Sequence, residues 1–376
     1  MTQKLFGDFR GYATAAFGME GLVSEELKRF GMKDVFAENG GVRFTTGQEG
    51  IIRCNLLSRY SDRIFIVLSE GDCLSFEELF QLVLRIPWEK YAEGTEAINI
   101  SCRCSRSQLM SERDCQSITK KAVIERLKAS SGLRVFPENG PALPVMVSVR
   151  NNHIRIMLST SGEALSRRGY RTWNGQAPLR ETLAAALVRL SPWRPGMPLH
   201  DPCCGTGTIV IEAAFQAMCR APGLRRSFAM ESFCWTDTEL FAQIRKNLED
   251  EVLPSPGSSL SGSDSDPEAL ALSRRHISQA GLIGHMEVFQ TSLQELQLEE
   301  ENGVFICNPP YGERLESQAS CRKLYRDLHE MKDRHSGWAL CAITSDPAFE
   351  RYYGKRASRK RRLYNGTLEC TYYIYE

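Results

Sequence analysis

The sequence predicts an α/β protein, with a doubly wound domain in its C-terminal part and an α+β region before it. From residue 164 onward, apolar strand-like runs alternate with helical stretches, the pattern of βαβ units around a parallel sheet. Before residue 164, strands come as hairpin-like pairs with helices between them. The 376 residues suit two or three domains at roughly 100–200 residues each. The expected boundaries are 1–67, 68–163 and 164–376.

In the first stretch a strand is expected within residues 5–17. Residues 19–30 carry apolar positions at helical spacing, and residues 33–44 form two short strands around Asn39-Gly40-Gly41. A helix over 51–57 and a strand over 64–68 follow. In the second stretch, residues 76–84 are helical and 97–104 alternate like a strand. A helix over 111–128 opens on Ser111-x-x-Asp114, a capping-box variant. Strands over 145–150 and 153–158 flank Asn151-Asn152, another hairpin signal. In the third, a helix over 179–190, a strand over 198–201 and a helix over 208–218 precede buried strands at 303–307, 338–344 and 368–374. The polar stretch 254–263 is a loop within this unit.

Composition narrows the class. Hydrophobic residues at 42% and charged residues at 25% are ordinary globular usage and exclude a disordered chain. Lys+Arg 47 against Asp+Glu 46 leaves a net charge of +1, so only local clustering can point to nucleic acid. No run of 18 apolar residues predicts a membrane span, and the start lacks a signal-peptide pattern; a cytoplasmic protein is expected. The 13 cysteines include no CxxC pair. Cys102–Cys104 and Cys203–Cys204 have neither zinc-finger nor redox-motif spacing, so reduced, mostly buried thiols and no metal are expected.

Three segments carry chemistry. The first is Asp201-Pro202-Cys203-Cys204-Gly205-Thr206-Gly207-Thr208, a strand end, a glycine turn and a helix start. Its glycines permit positive φ and close approach of a ligand, and the helix N-terminus favours an anionic group. Val210 stands where dinucleotide folds prefer a third glycine, and the Gly-Lys-Ser/Thr of a Walker loop is missing. S-adenosylmethionine (SAM) remains, with its carboxylate at the turn. The second is Gly262-Ser263-Asp264-Ser265-Asp266-Pro267. An acidic residue there can accept both ribose hydroxyls, and Asp264 is the candidate. Asp266 fits an N-cap. The strand before Asp264 is weakly written, with Leu260 its only large apolar residue. The third is Asn308-Pro309-Pro310-Tyr311 after the apolar run 303–307. The prolines stiffen the loop. The Asn308 amide oxygen and the Pro309 carbonyl can both accept from an exocyclic amine, and Tyr311 offers a ring to stack a flipped base.

These motifs, in this order, resemble the THUMP-domain RNA guanine-N2 methyltransferases of the bacterial 23S ribosomal RNA kind, the large-subunit methyltransferase K/L type. Relatives sharing Asn-Pro-Pro-Tyr are often labelled N6-adenine-specific DNA methylases. The resemblance covers nearly the whole chain: Phe17-Gly-Met-Glu20 through Leu27, Ser107 through Leu127, Gly162 through Arg171, Ala177-Pro-Leu-Arg180 and Arg361-Arg362-Leu-Tyr364-Asn365-Gly366. It implies a ferredoxin-like unit over 1–67, a THUMP RNA-binding domain over 68–163 and a Rossmann-like SAM-dependent methyltransferase domain over 164–376. By this resemblance Asp201, Gly205 and Gly207 line the methionine end of SAM, with Pro202, Cys203 and Thr206 in the same turn. Asp264 and Ser265 serve the ribose, and Asn308 to Tyr311 the target amine. Where the family places an acidic residue near the adenine, this chain offers Ser292. With the chain ending at Glu376, the second methyltransferase of the bifunctional relatives is expected to be absent.

Basic residues gather at Arg359, Lys360, Arg361 and Arg362 beside Tyr364, and at Arg167, Arg168 and Arg171 beside Tyr170 and Trp173. Such mixtures suit phosphates and unstacked bases, and ribosomal RNA is the expected partner. The Asn-Pro-Pro acceptors suit guanine N2 or adenine N6 alike, so an N6-adenine methyltransferase on DNA or RNA stays open, as does an RNA-binding module without catalysis. The sequence does not set the oligomeric state or the target nucleotide.

Overall fold

The computed structural model describes residues 7–132, 134–171, 179–310 and 318–376. These form two compact units whose chain segments interleave. One holds residues up to 15, 23–165 and 226–247; the other holds 16–22, 166–225 and 248–376.

The first unit is built on one seven-stranded sheet. Its strands are β1 (Phe9–Thr14), β2 (Lys33–Glu38), β3 (Gly41–Thr46), β4 (Arg63–Asp72), β5 (Ala97–Ser105), β6 (Ala142–Arg150) and β7 (His153–Ser159). The order is β2-β3-β1-β4-β7-β6-β5, antiparallel throughout except for the β5–β6 pair. Both expected hairpins are present. Asn151 and Asn152 have φ of 51° and 62°, the left-handed pair that a two-residue turn requires. Helices α1 (Glu20–Arg29), α2 (Gln48–Leu57), α3 (Phe76–Leu84) and α4 (Glu112–Ser131) occupy the expected places. The Ser111 hydroxyl accepts from the Asp114 N–H at 3.2 Å and caps α4, which ends at Gly132 with φ of 70°. The boundary expected at 67/68 falls inside β4, where pairing with β7 shifts register between Val67 and Ser69.

Residues 226–247 also belong to this unit, although the sequence placed them with the C-terminal domain. Trp235 is fully buried, with its ring 5.7 Å from that of Phe9. The Gln48 amide donates to the Trp235 carbonyl at 3.0 Å and accepts from the Asp237 N–H at 2.7 Å. An aromatic run such as Phe228, Phe233 and Trp235 is equally suited to either core, so periodicity does not assign it.

The second unit holds helices α5 (Glu181–Leu190), α6 (Thr208–Ala217), α8 (Pro267–Ala280), α9 (Gln318–Arg334) and α10 (Phe349–Tyr353); α7 (Thr238–Asp250) runs across the junction of the two chain segments. Its strands are β8 (Leu199–Asp201), β9 (Leu260–Asp264), β10 (Glu287–Gln290), β11 (Gly303–Cys307), β12 (Trp338–Thr344), β13 (Arg359–Asn365) and β14 (Leu368–Tyr375). They form a Rossmann-like sheet in the order β10-β9-β8-β11-β12-β14-β13. It is parallel from β10 to β12, and β14 and β13 are antiparallel additions. The order reverses beside β8, so the crevice at the carboxyl ends of β8 and β11 is where such sheets collect ligands. The core beneath is apolar and aromatic: Phe305 of β11 stacks on Trp338 of β12 at 4.5 Å, with Tyr325, Leu328 and Met331 of α9 packed against them. No helix among the described residues is long and apolar enough to cross a membrane.

Candidate active site

The crevice is a cavity of about 870 Å³ at the carboxyl ends of β8, β9 and β11, within the ~300–1,000 Å³ range of small-molecule sites. Ten of the sequence-predicted site residues line it. Asp201, Pro202, Cys203, Gly205 and Thr206 come from the turn after β8. Asp264 and Ser265 follow β9, Ser292 follows β10, and Asn308 and Pro310 follow β11.

The glycine turn is shaped by its backbone. Gly205 and Gly207 have φ of 50° and 79°, a region where side chains with Cβ are strained. A Cβ on Gly205 would meet open space, whereas one on Gly207 would collide with the Ser273 hydroxyl of α8. Gly207 is therefore the N-cap of α6 and its close contact with α8, while Gly205 faces the cavity side of the turn. The Asp264 carboxylate ties this turn to β9. Its Oδ2 accepts from the Gly205 N–H at 2.8 Å and its Oδ1 from the Asp266 N–H at 3.0 Å. Asp266 is the N-cap of α8, accepting from the Glu268 N–H at 2.8 Å.

Asp201 is fully buried and accepts from the Cys203 N–H at 3.1 Å. Burial pushes its carboxyl well above the usual carboxylate range; that hydrogen bond opposes the shift and the Asp264 charge adds to it. A cation beside Asp201 would favour its ionised form. The weakly written strand has a physical cause. Ser261 and Ser263 of β9 hold the two ring nitrogens of buried His200 at 2.8 and 2.9 Å. A Cβ on Gly262 would lie 2.8 Å from that of Cys204. Large apolar residues are replaced there by groups that bind the neighbouring strand and turn.

Asn308 carries the most specific signal. Its Oδ1 is shut off from solvent and has no hydrogen-bond partner among the described residues. A buried acceptor left unmatched costs about 1–3 kcal/mol, so such an atom beside a cavity calls for a donor. Pro309 is buried beside it, and Tyr311 lies outside the described residues.

Sequence reasoning missed the wall supplied by α9, where Lys323 and Asp327 form an ion pair at 3.1 Å, and Leu179 before α5. Only the helical spacing of α9 could have suggested the former. Ser292 lines the cavity with its hydroxyl donating to Glu295 at 2.9 Å.

The basic group near residue 170 needs correction. Arg168 is buried and paired with Glu212 at 3.3 Å, and the Tyr170 hydroxyl donates to the same carboxylate at 3.2 Å. A guanidinium enclosed in that way does not reach a phosphate. Arg171 is likewise turned inward: it donates to the Leu179 carbonyl at 3.0 Å and to the Thr208 hydroxyl, and pairs with Glu181 at 3.5 Å. It braces α5 against the start of α6. Arg167 is exposed, and Trp173 lies outside the described residues. Arg359, Lys360, Arg361 and Arg362 are all exposed on the outermost strand β13. Lys360 pairs with Glu350 at 2.6 Å and Arg362 with Glu369 at 3.9 Å. Nearby, Phe17 packs edge-on to Tyr364 with ring centroids 5.4 Å apart.

Comparison with known proteins finds matches along nearly the whole chain. Residues 11–65 match the RlmL ferredoxin-like domain, 73–159 the THUMP domain and 168–374 the RMKL-like methyltransferase domain. YpsC of Bacillus subtilis (strain 168), which carries a provisional RNA methyltransferase name, is 34% identical over 96% of this chain and 94% of its own. The ribosomal RNA large subunit methyltransferase K/L of Magnetococcus marinus is 32% identical over 98% of this chain, which spans 53% of that relative. Among solved structures, SMU.472, provisionally described as a methyltransferase and crystallised with SAH, superposes with a TM-score of 0.93 at 37% identity, covering 99% of this chain and 98% of its own. The chain belongs to the RMKL-like methyltransferase family, with a ferredoxin-like unit and a THUMP domain ahead of the methyltransferase domain.

Proposed function

We propose that this SAM-dependent RNA methyltransferase modifies the N2 amine of a guanosine in 23S ribosomal RNA, acting in the cytoplasm before the subunit is fully assembled. The observation that carries the reading is that Asn308, whose buried Oδ1 has no partner among the described residues, lines the same cavity as the glycine turn. In this reading residues 1–67 are the ferredoxin-like unit, 68–163 the THUMP domain and 164–376 the methyltransferase domain.

The residues present fit the cofactor. The turn of Asp201, Pro202, Cys203, Gly205, Thr206 and Gly207 would hold its amino-acid end, with Asp201 opposite the ammonium. Asp264 and Ser265 would hold the ribose, and Ser292 the adenine. SAM supplies an electrophilic methyl group on a sulfonium.

The protein's task is then to make a poor nucleophile attack. The guanine N2 lone pair is delocalised into the ring. Asn308 Oδ1 and the Pro309 carbonyl accept the two amine hydrogens and draw the lone pair out of conjugation. The successive prolines, Pro309 and Pro310, fix those acceptors, so orientation supplies most of the acceleration. Tyr311 stacks the extruded base. No strong side-chain base is needed, because the methylated amine gives up its proton to water readily. Arg359 to Arg362 and Arg167 are assigned to the RNA backbone.

Nucleoside mass spectrometry tests this. Ribosomal RNA from cells lacking the protein, incubated with pure enzyme and labelled SAM, should gain N2-methylguanosine. Label in N6-methyladenosine instead would replace the guanine assignment.

A further inference from the structure

The β5–α4 layer of the first unit holds a cluster that sequence spacing does not disclose. Cys102 and Cys104 occupy alternate positions of β5 and so share one face of the strand. Cys115 lies in the first turns of α4. Their sulfur atoms all lie within 4.8 Å of one another, with Cys102–Cys104 at 3.6 Å and Cys104–Cys115 at 4.0 Å. Cys102 and Cys115 are buried and Cys104 is half-buried. Cys104 and Cys115 are 11 positions apart in the sequence, and the packing of α4 on the sheet brings them together.

These spacings have a chemical meaning. Zinc–thiolate bonds of ~2.3 Å place ligand sulfurs ~3.8 Å apart on a tetrahedral edge and ~4.0 Å apart in a trigonal plane. The 3.6 and 4.0 Å separations bracket those edges, so the three sulfurs need little movement to close around one ion. We propose that Cys102, Cys104 and Cys115 form a binding site for a thiophilic divalent ion of the zinc type, joining β5 to α4. Beside the cluster, a cavity of about 330 Å³ is lined by Cys102, Arg103, Glu112 and Gln116. Glu112 accepts from the Cys104 N–H at 3.3 Å and holds that part of the strand.

Proton balance follows. Burial pushes the Cys115 thiol up to about 12, and the Cys104 and Cys102 thiols beside it act on it as well. Each thiol that binds the ion exchanges its S–H proton, released to solvent, for a metal–sulfur bond, so affinity rises with pH. Soft thiolate ligands select zinc-type ions over magnesium or calcium.

The test uses the full chain, fully reduced and stripped with chelator, with exposed Cys219 replaced by serine in every protein to remove an unrelated thiol. Zn²⁺ is titrated against a chromophoric competitor, and Cd²⁺ binding is read from the thiolate-to-metal charge-transfer band. The expected result is one equivalent bound, tighter at higher pH, with at least tenfold loss in Cys104→Ala and in Cys115→Ala. Half-buried Cys104 is the safer variant for folding, and SAM affinity and circular dichroism check each protein. Failure of the parent to bind, or equal affinity in the folded Cys104→Ala variant, would show that the thiols serve packing alone.

Discussion

Asp264→Asn isolates the link between β9 and the glycine turn. The carboxylate accepts two backbone N–H groups, one on each oxygen, from Gly205 at 2.8 Å and Asp266 at 3.0 Å. An asparagine amide of the same shape has one acceptor oxygen. Whichever way it is flipped, its NH₂ faces one of those N–H groups. A hydrogen bond to a charged group is worth about 1.5–3 kcal/mol, so loss of the Gly205 contact corresponds to roughly 10- to 150-fold weaker SAM binding. Asp266→Asn is the matched control: it removes the same charge two residues away but keeps the single acceptor that Glu268 N–H needs. Isothermal titration of SAM into both variants reads the difference. Wild-type affinity in Asp264→Asn, or an equal loss in Asp266→Asn, would refute the assignment of the turn to that carboxylate.

Three further outcomes follow from the same geometry. Burial raises the Asp201 carboxyl above the usual carboxylate range, and an ammonium beside it would bring it back down. SAM, bringing an ammonium, should therefore release a proton on binding and bind less tightly as pH falls; titrations in buffers of different ionisation enthalpy should show that release, absent in Asp201→Asn. Burial lowers His200 to about 3 from an unperturbed 6.5, so the unfolded chain binds the extra proton between those values. Stability should then fall by about 2 kcal/mol from pH 7 to pH 5 on this group's account, measured by denaturant unfolding and lessened in His200→Gln. Replacing Arg361 and Arg362 by glutamine should weaken RNA binding and shrink its salt slope by up to about 2; an unchanged slope would leave β13 a charged edge strand that only deters aggregation.

The parts of the fold most legible in the sequence were those written in apolar periodicity. Strands β11 and β12 and helix α3 occupy the residues expected, because each buries a continuous or amphipathic apolar face. The hairpin turn at Asn151-Asn152 is fixed by local backbone preference. What was hard to see depends on tertiary contact. Strand β9 looks polar because its serines serve His200 and Gly262 makes room for Cys204. Arg168 looks like a surface cation until Glu212, 44 residues on, encloses it. Lys323 and Asp327 line the cavity through the packing of α9, and Cys115 meets Cys102 and Cys104 only once α4 lies on the sheet. The motif turns were visible because they need particular backbone chemistry; the walls around them were not.

The central claim is that Asn308 acts on the substrate amine and leaves the cofactor's hold to the turn after β8. Single-turnover methyl transfer and SAM affinity, measured side by side for wild type and Asn308→Ala, test it most directly. The expected result is a rate at least about 100-fold lower, comparable to losing one preorganised polar contact at a reacting centre, with SAM affinity changed by less than about threefold. Full turnover in the variant, or a loss of SAM affinity that accounts for the whole rate defect, would contradict it.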